Sequence, residues 1–289
     1  MKKTELSNRL QTVVNMLDAQ SKPASFGTLP EEASIENTST EEASTEEAST
    51  EEASVEDGFA GTTEYKGYCI ADIGCDHGFV SIYLIQNKIA SHVIAMDVNS
   101  GPLQFAKDHI KESGLESYIE TRISDGFSAL LKGEADAAII AGMGGRLMVR
   151  LLTEGKEKVS SMKELILQPQ SEAALLRQYL RKAGYSIVDE EMVLEDGKYY
   201  TILHVYPRAV PYEKKVPLAR IILDKYGEVL IEKKHPVLAQ FVSYRMERHE
   251  KILKDYPAGG DPVKREELIK IVEELKQIQD YWKGDTDEV

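Results

Sequence analysis

From Tyr68 onward, apolar runs of strand length alternate with segments whose hydrophobic positions recur at helical spacing. Residues 68–73, 92–97, 118–123, 135–141, 164–168, 185–193 and 199–206 read as strands, with helices at 79–88, 102–113, 144–154 and 171–183. This alternation predicts a mainly parallel sheet covered by helices on both faces, the doubly wound α/β class. The last two strands are joined by Glu195-Asp196-Gly197-Lys198, a hairpin-type turn, so the sheet is expected to end in an antiparallel strand. Upstream, Leu6, Leu10, Val13, Val14 and Leu17 mark the buried face of a helix over 5–19 that stops at Lys22-Pro23. Beyond Pro211 the apolar positions thin out. Residues 214–255 and 262–282 read as two long charged helices with narrow stripes, among them Val237, Phe241, Leu275 and Ile278. The result is a coiled-coil-like helical hairpin whose stripes are too narrow for a core of its own.

Between the first helix and the first strand the pattern vanishes. Ser39-Thr40-Glu41-Glu42-Ala43 recurs at Ser44 and Ser49, a period of five that fits neither a helix face nor a strand. Such a segment has little to bury and is expected to be a disordered acidic insertion. The chain therefore divides into a helix over 1–20, the insertion over 21–60, a sheet domain over 61–208 and a helical hairpin over 209–289. The insertion also changes the meaning of the net charge of −14: residues 31–57 hold eleven acidic side chains and no Lys or Arg, leaving −3 for the remainder. A nucleic-acid partner is thus compatible with the composition. No apolar stretch reaches ~18 residues and no apolar run follows the first lysines, so neither a membrane span nor a signal peptide is expected. Cys69, Cys75 and six scattered histidines give no metal-ligand spacing. A reducing, cytoplasmic setting without a metal is the expectation.

The chemistry concentrates in Ala71-Asp72-Ile73-Gly74-Cys75-Asp76-His77-Gly78, which follows a strand and opens a helix. The first strand-to-helix turn of a doubly wound sheet lies at the edge where ligands bind. Asp76 stands where a dinucleotide loop of the G-x-G-x-x-G type wants glycine, and its carboxylate would repel a pyrophosphate. S-adenosylmethionine has no phosphate and carries a positive sulfonium and amino group, so an acidic loop suits it. Asp72 and Gly74 are cofactor-binding candidates there. Asp97 ends the next strand, where a carboxylate can accept from two ribose hydroxyls. Asp125 and Gly126 follow the third strand and are placed to contact an adenine ring. The fourth strand ends in Gly142-Met143-Gly144-Gly145, whose backbone permits close approach and whose amides are free to bond a flat base. Gln168 and Gln170 end the fifth strand at the same edge. Two readings of His77 stand open, stacking on a base or capping the helix. For Asp76 the bland alternative is likewise a helix cap.

Taken together, Asn8-Arg9-Leu10-Gln11-Thr12-Val13, Ala71–His77, Asp125-Gly126, Ile140–Gly145 and Leu165–Gln170 resemble, in order, the bacterial TrmK family of tRNA (adenine-22-N1)-methyltransferases. The resemblance extends over nearly everything except residues 20–60, and includes Leu194–Tyr200 and the helical hairpin. It departs at Cys75 where Ser is common, at Gly78–Ser81 where Ala-Tyr-Leu-Pro is usual, at Asp97 where Glu is usual, and at Gln170 where Asn is usual. The resemblance implies a Rossmann-like class I methyltransferase that uses S-adenosylmethionine to methylate N1 of an adenine in tRNA. Asp76 is then the catalytic candidate, accepting from the adenine amino group. Arg9, His77, Arg146, Gln168 and Gln170 become candidates for substrate binding, and the hairpin for embracing RNA. The residues alone leave two alternatives: a methyltransferase with a protein or small-molecule acceptor, or a non-catalytic RNA-binding protein with a residual cofactor pocket.

Overall fold

The computed structural model describes residues 4–17, 67–211 and 216–284, so the expectation of a disordered insertion lies outside the described residues. Seven strands form one sheet: β1 (Cys69–Ile73), β2 (His92–Asp97), β3 (Ile119–Ile123), β4 (Ala137–Gly144), β5 (Glu164–Ser171), β6 (Ser186–Glu195) and β7 (Lys198–Tyr206). Their order is β3-β2-β1-β4-β5-β7-β6, parallel from β3 to β5, with β7 antiparallel to both of its neighbours. The antiparallel strand is therefore inserted next to last, and β6, not β7, forms the edge. Burial explains the order. Ile202, Leu203 and Val205 of β7 are fully buried, whereas β6 is mostly half-buried and tolerates one open side.

Helices α1 (Asn8–Asn15), α2 (Phe79–Gln86) and α3 (Ser100–Glu112) cover one face. Helices α4 (Gly145–Glu154), α5 (Lys156–Val159) and α6 (Ala173–Lys182) cover the other. The strands are buried on both sides, with Ile70 facing the first group and Cys69, Ala71 and Ile73 the second. Helix α1 begins at Asn8 because the Ser7 hydroxyl accepts from the Leu10 amide, and it seats Val13 and Val14 with no exposure at all. The chain leaves β1 toward β2 on one side and returns to β4 on the other. This reversal opens a crevice at the carboxyl ends of β1 and β4.

After β7 the structure departs from the expected hairpin. The first long helix is broken into α7 (Arg220–Tyr226), α8 (Glu228–Glu232) and α9 (Pro236–Lys254), followed by α10 (Pro262–Gly284). Gly227 breaks it first, with φ of 88° and no room for a side chain, since a Cβ would lie 2.6 Å from Glu190 Oε2. The second break falls at Lys234, which has φ of 49°, and His235, whose ring accepts from the Val237 amide ahead of Pro236. These breaks fold the segment back on itself, and it does acquire a core. Ile222, Leu223, Leu230, Ile231, Leu238, Val242, Leu275 and Ile278 are buried together with Met192 of β6. The expectation of stripes too narrow for a core is overturned, because it counted only the stripes on two straight helices. A buried ion pair fixes the lobe to the sheet. Arg177 Nε meets Glu190 Oε1 at 2.7 Å, and Arg177 Nη1 donates to the Asp224 and Lys225 carbonyls at 3.0 and 3.2 Å.

Candidate active site

The β1–α2 loop is held open by its backbone. The Gly74 and Cys75 amides both donate to the Met96 carbonyl at the end of β2, at 2.7 and 2.9 Å. Gly74 has φ of 76°, and a Cβ there would strike the Met143 methyl group. Asp76 also takes a left-handed conformation, with φ of 50°, and its amide points at Asp97 Oδ2 at 3.3 Å. Its own carboxylate stays 70% exposed, 3.7 Å from His77 Nε2. Helix α2 is capped by Gly78 with no side-chain hydrogen bond, so neither Asp76 nor His77 is a cap. That removes the structural alternative for both residues. Instead, the His77 ring stacks on Phe79 and Phe105.

These groups face a cavity of about 480 Å³ at the β1–β4 crevice. Eleven of the thirteen sequence-predicted residues line it: Arg9, Asp72, Gly74, Asp76, His77, Asp97, Asp125, Gly126, Gly142, Met143 and Gln170. Asp72 is 4% exposed and accepts from Ser81 Oγ at 2.6 Å. Burial pushes its carboxyl up to about 6, against the Ser81 bond and with help from the Asp97 charge. The donor is Ser81, at a position where the family resemblance expects proline. Asp97 Oδ1 accepts from the Asn99 amide at 2.8 Å, leaving lone pairs of the carboxylate for a ligand.

Two predicted substrate contacts do not line the cavity. Arg146 is 80% exposed and paired with Glu172 at 2.9 Å, on the surface of α4. Gln168 is fully buried, because it falls in the part of β5 that is covered on both faces, Glu164 to Pro169. Its Oε1 accepts from Arg9 Nη1 at 2.5 Å and from the Gly142 amide at 3.1 Å, while its Nε2 donates to the Pro169 carbonyl. The Gly142 amide is thereby consumed inside the protein and is not free for a base. Arg9 is equally engaged. Its amide donates to Glu195 Oε1 at 2.9 Å, its Nε lies 3.5 Å from Glu195 Oε2, and its guanidinium lies over the Tyr200 ring.

Sequence reading missed Arg150, which grips both oxygens of Asp125 at 2.8 and 3.0 Å and holds that carboxyl below its usual range. Its signal was available: it stands one helical turn after Arg146, on the cavity side of α4. Asn99, Leu147, Leu151 and Phe79 also line the cavity. Glu195 had no local signal, since it meets Arg9 across 186 positions of chain.

The donor set fits S-adenosylmethionine. Four carboxylates, Asp72, Asp76, Asp97 and Asp125, surround the space against two arginines, and both arginines are already committed to acids or amides. Such a rim attracts a sulfonium and an ammonium and repels a pyrophosphate. Cys75 also lines the cavity, with its thiol pushed up by burial and neighbouring carboxylates, and is no nucleophile at neutral pH. Among the described residues no group of three or more His, Cys, Asp or Glu is placed to share a metal ion, and no helix is long and apolar enough to cross a membrane.

The chain is similar to known proteins of one family. The chain is 34% identical over 222 residues to the tRNA (adenine(22)-N(1))-methyltransferase of Bacillus subtilis (strain 168), covering 75% of this chain and 92% of that one. The crystal structure of the B. subtilis M1A22 tRNA methyltransferase TrmK superposes with a TM-score of 0.68 at 28% identity, over 95% of this chain and 99% of that chain. Sp1610 of Streptococcus pneumoniae, solved in complex with S-adenosyl-L-methionine, superposes with a TM-score of 0.61 at 30% identity, over 72% of this chain and 91% of that chain. Residues 70–280 match TrmK, tRNA (adenine(22)-N(1))-methyltransferase, and the chain belongs to that family.

Proposed function

We propose that this protein is an S-adenosylmethionine-dependent methyltransferase that modifies N1 of adenine 22 in tRNA, acting in the cytoplasm. One observation carries the reading: an acidic cavity at the β1–β4 crevice, in a chain of this family, with an exposed Asp76 carboxylate at its mouth. Asp97 would hold the ribose hydroxyls, Asp72 the cationic amino-acid end, and Asp125 with Gly126 the adenine side of the cofactor. When bound, S-adenosylmethionine supplies an electrophilic methyl group on a positive sulfur.

The chain's own part is largely positioning. Adenine N1 carries an in-plane lone pair, so no residue has to remove a proton to expose it. Alkylation leaves positive charge on the ring and acidifies the exocyclic amino group. A carboxylate that accepts from that amino group gains strength as the charge develops, which lowers the barrier more than it tightens binding. Asp76 is the group we assign to this task. Arg9 and Gln168 keep the β4 end in place through the Gly142 amide, and Gln170 faces the acceptor. The adenine has to leave its stacked position in the folded tRNA to reach the cavity.

Nucleoside mass spectrometry of a tRNA transcript incubated with protein and S-adenosylmethionine tests the reading. The expected product is 1-methyladenosine, lost when adenine 22 is replaced by guanine. Methylation that survives that replacement, or none at all with the cofactor bound, would overturn it.

A further inference from the structure

Four rings stack at the mouth of the cavity, and two of them face solvent. His77 lies 5.2 Å from Phe105 and 6.0 Å from Phe79, and Phe79 lies 4.8 Å from His109, with interplanar angles of 26°, 11° and 22°. His109 Nδ1 sits 3.0 Å from the His77 carbonyl, which ties α3 to the catalytic loop. His77 and Phe79 line the cavity, whereas Phe105 lies beyond its lining, so the stack runs from the pocket out onto the surface.

The core does not need these rings. Helix α3 buries Leu103, Ala106 and Ile110, and Phe105 projects from the other side with 55% exposure. Phe79, the first residue of α2, is 45% exposed. Both phenyl rings keep about half of their surface open to water at the rim of the cavity, although His77 stacks on each and His109 on Phe79 as well. On the helix face that carries Phe105, the charged residues one and two turns on are the exposed Asp108 and Glu112, so this surface has nothing to offer a phosphate and a flat ring to offer a base.

We propose that Phe105, backed by His77, Phe79 and His109, is a stacking platform for the nucleotide next to the methylated adenine. The inference rests on the tRNA reading above. Drawing one base out of a strand leaves its neighbour with an uncovered face, and an aromatic ring continuous with the pocket covers that face. Phe105 thus positions the substrate and does not touch the reacting atoms.

The test compares Phe105→Leu, which keeps the apolar bulk without the π face, with Phe105→Tyr, which keeps the ring. Full tRNA and tRNAs made abasic on either side of adenine 22 serve as substrates. Phe105→Leu is expected to raise KM for tRNA about tenfold, the scale of one lost base stack. It should leave kcat, calorimetric cofactor affinity and melting temperature unchanged, and Phe105→Tyr should restore KM. One of the abasic tRNAs should raise the wild-type KM as much, with no further rise in Phe105→Leu. A leucine variant equal to wild type, or penalties that multiply on both abasic tRNAs, would overturn the platform while leaving the methyltransferase reading intact. Wild-type protein that binds cofactor but produces no 1-methyladenosine on full tRNA would overturn both.

Discussion

Arg9 and Gln168, 159 positions apart in sequence, meet at 2.5 Å, and the same Gln168 oxygen also holds the Gly142 amide at 3.1 Å. One buried side-chain carbonyl thus ties the N-terminal helix to the end of β4, beside the cavity at the β1–β4 crevice. Arg9→Lys preserves charge but loses the planar fork that reaches Gln168 and Glu195 while lying over Tyr200. The expected outcome is a fall in kcat/KM of at least tenfold with a melting temperature lower by a few degrees. Single-turnover methylation and a thermal melt check it. Wild-type turnover in Arg9→Lys would mean that charge alone suffices.

Asp72 gives the protein a pH dependence whose sign can be worked out. Its carboxyl, raised to about 6, is ionised above that pH and neutral below it. A cationic ligand prefers the ionised form, so S-adenosylmethionine affinity should be full near pH 8 and fall as pH drops through 6. Ser81→Ala removes the hydrogen bond that holds the value down, and the falling limb should move to higher pH. Titration calorimetry across pH 5.5–8.5 measures this, and a limb that does not move would separate Ser81 from the cofactor site. In the ligand-free protein the buried carboxyl costs stability where it is ionised, and while the folded state still keeps a proton that the unfolded chain has lost, the stability held at lower pH is only partly gone. That stability is present below the ordinary carboxylate pKa and lost as pH rises through about 6. Asp72→Asn should therefore raise the ligand-free melting temperature at pH 8, by ~1–3 kcal/mol of stability, while weakening the cofactor.

The strand pattern was legible because buried parallel strands are continuous apolar runs, and β2 begins and ends where the sequence reading put it. That the β1–α2 loop lines the cavity was legible for a different reason: carboxylates in a glycine-bearing turn after the first strand have a charge that selects their ligand. What sequence could not give was anything decided by side chains meeting across the fold. Gln168 was read as facing a base because it ends a strand at the right edge, but the strand is still covered on both faces there, and Arg9 and the Gly142 amide take its carbonyl. The position of β7 depended on which member of the hairpin is buried on both sides. Residues 214–255 were read as one continuous helix because Gly227 and Lys234 interrupt a charged stretch with only a faint apolar period, and its core forms only once the breaks fold it against Met192.

That core means the lobe cannot be removed without cost to the sheet domain. Ending the chain after Arg208 would strip Arg177 of the Asp224 and Lys225 carbonyls and uncover Met192, so the sheet domain should lose stability as well as RNA affinity. A cleaner probe is Arg177→Met, which leaves Glu190 charged at 1% exposure and should cost about 3–5 kcal/mol. Adding Glu190→Leu should recover most of the loss. Differential scanning calorimetry of the single and double variants decides it, and a single variant as stable as wild type would show that the pair contributes nothing.

Asp97→Ala should weaken S-adenosylmethionine binding by roughly 1.5–3 kcal/mol, the scale of charge-assisted hydrogen bonds lost from a ribose. The carboxylate also holds the Asn99 amide at 2.8 Å and faces the Asp76 amide at 3.3 Å, so the loop itself should loosen. Calorimetry on the folded variant reads the first effect. Unchanged affinity would take Asp97 out of the cofactor site.

Asp76→Asn tests the mechanism with the least disturbance to the fold. The backbone at Asp76 has φ of 50°, a conformation that asparagine adopts as readily as aspartate, so the loop should keep its shape. The side chain is 70% exposed and caps no helix, so stability should not change. What the substitution removes is a negative charge at the cavity mouth. If that charge accepts from the adenine amino group as the ring becomes positive, methylation should slow by about 10²-fold or more, the scale of losing one electrostatic stabiliser. Affinities for cofactor and tRNA should stay within severalfold, because the interaction grows mainly on the way to the transition state. Single-turnover methylation of one tRNA, run beside cofactor calorimetry, separates the outcomes. A near-normal rate would remove Asp76 from the chemistry. A slow rate accompanied by lost cofactor affinity would make it a ligand of the cofactor instead. Only a slow rate with both affinities kept assigns the carboxylate to the methyl-transfer step.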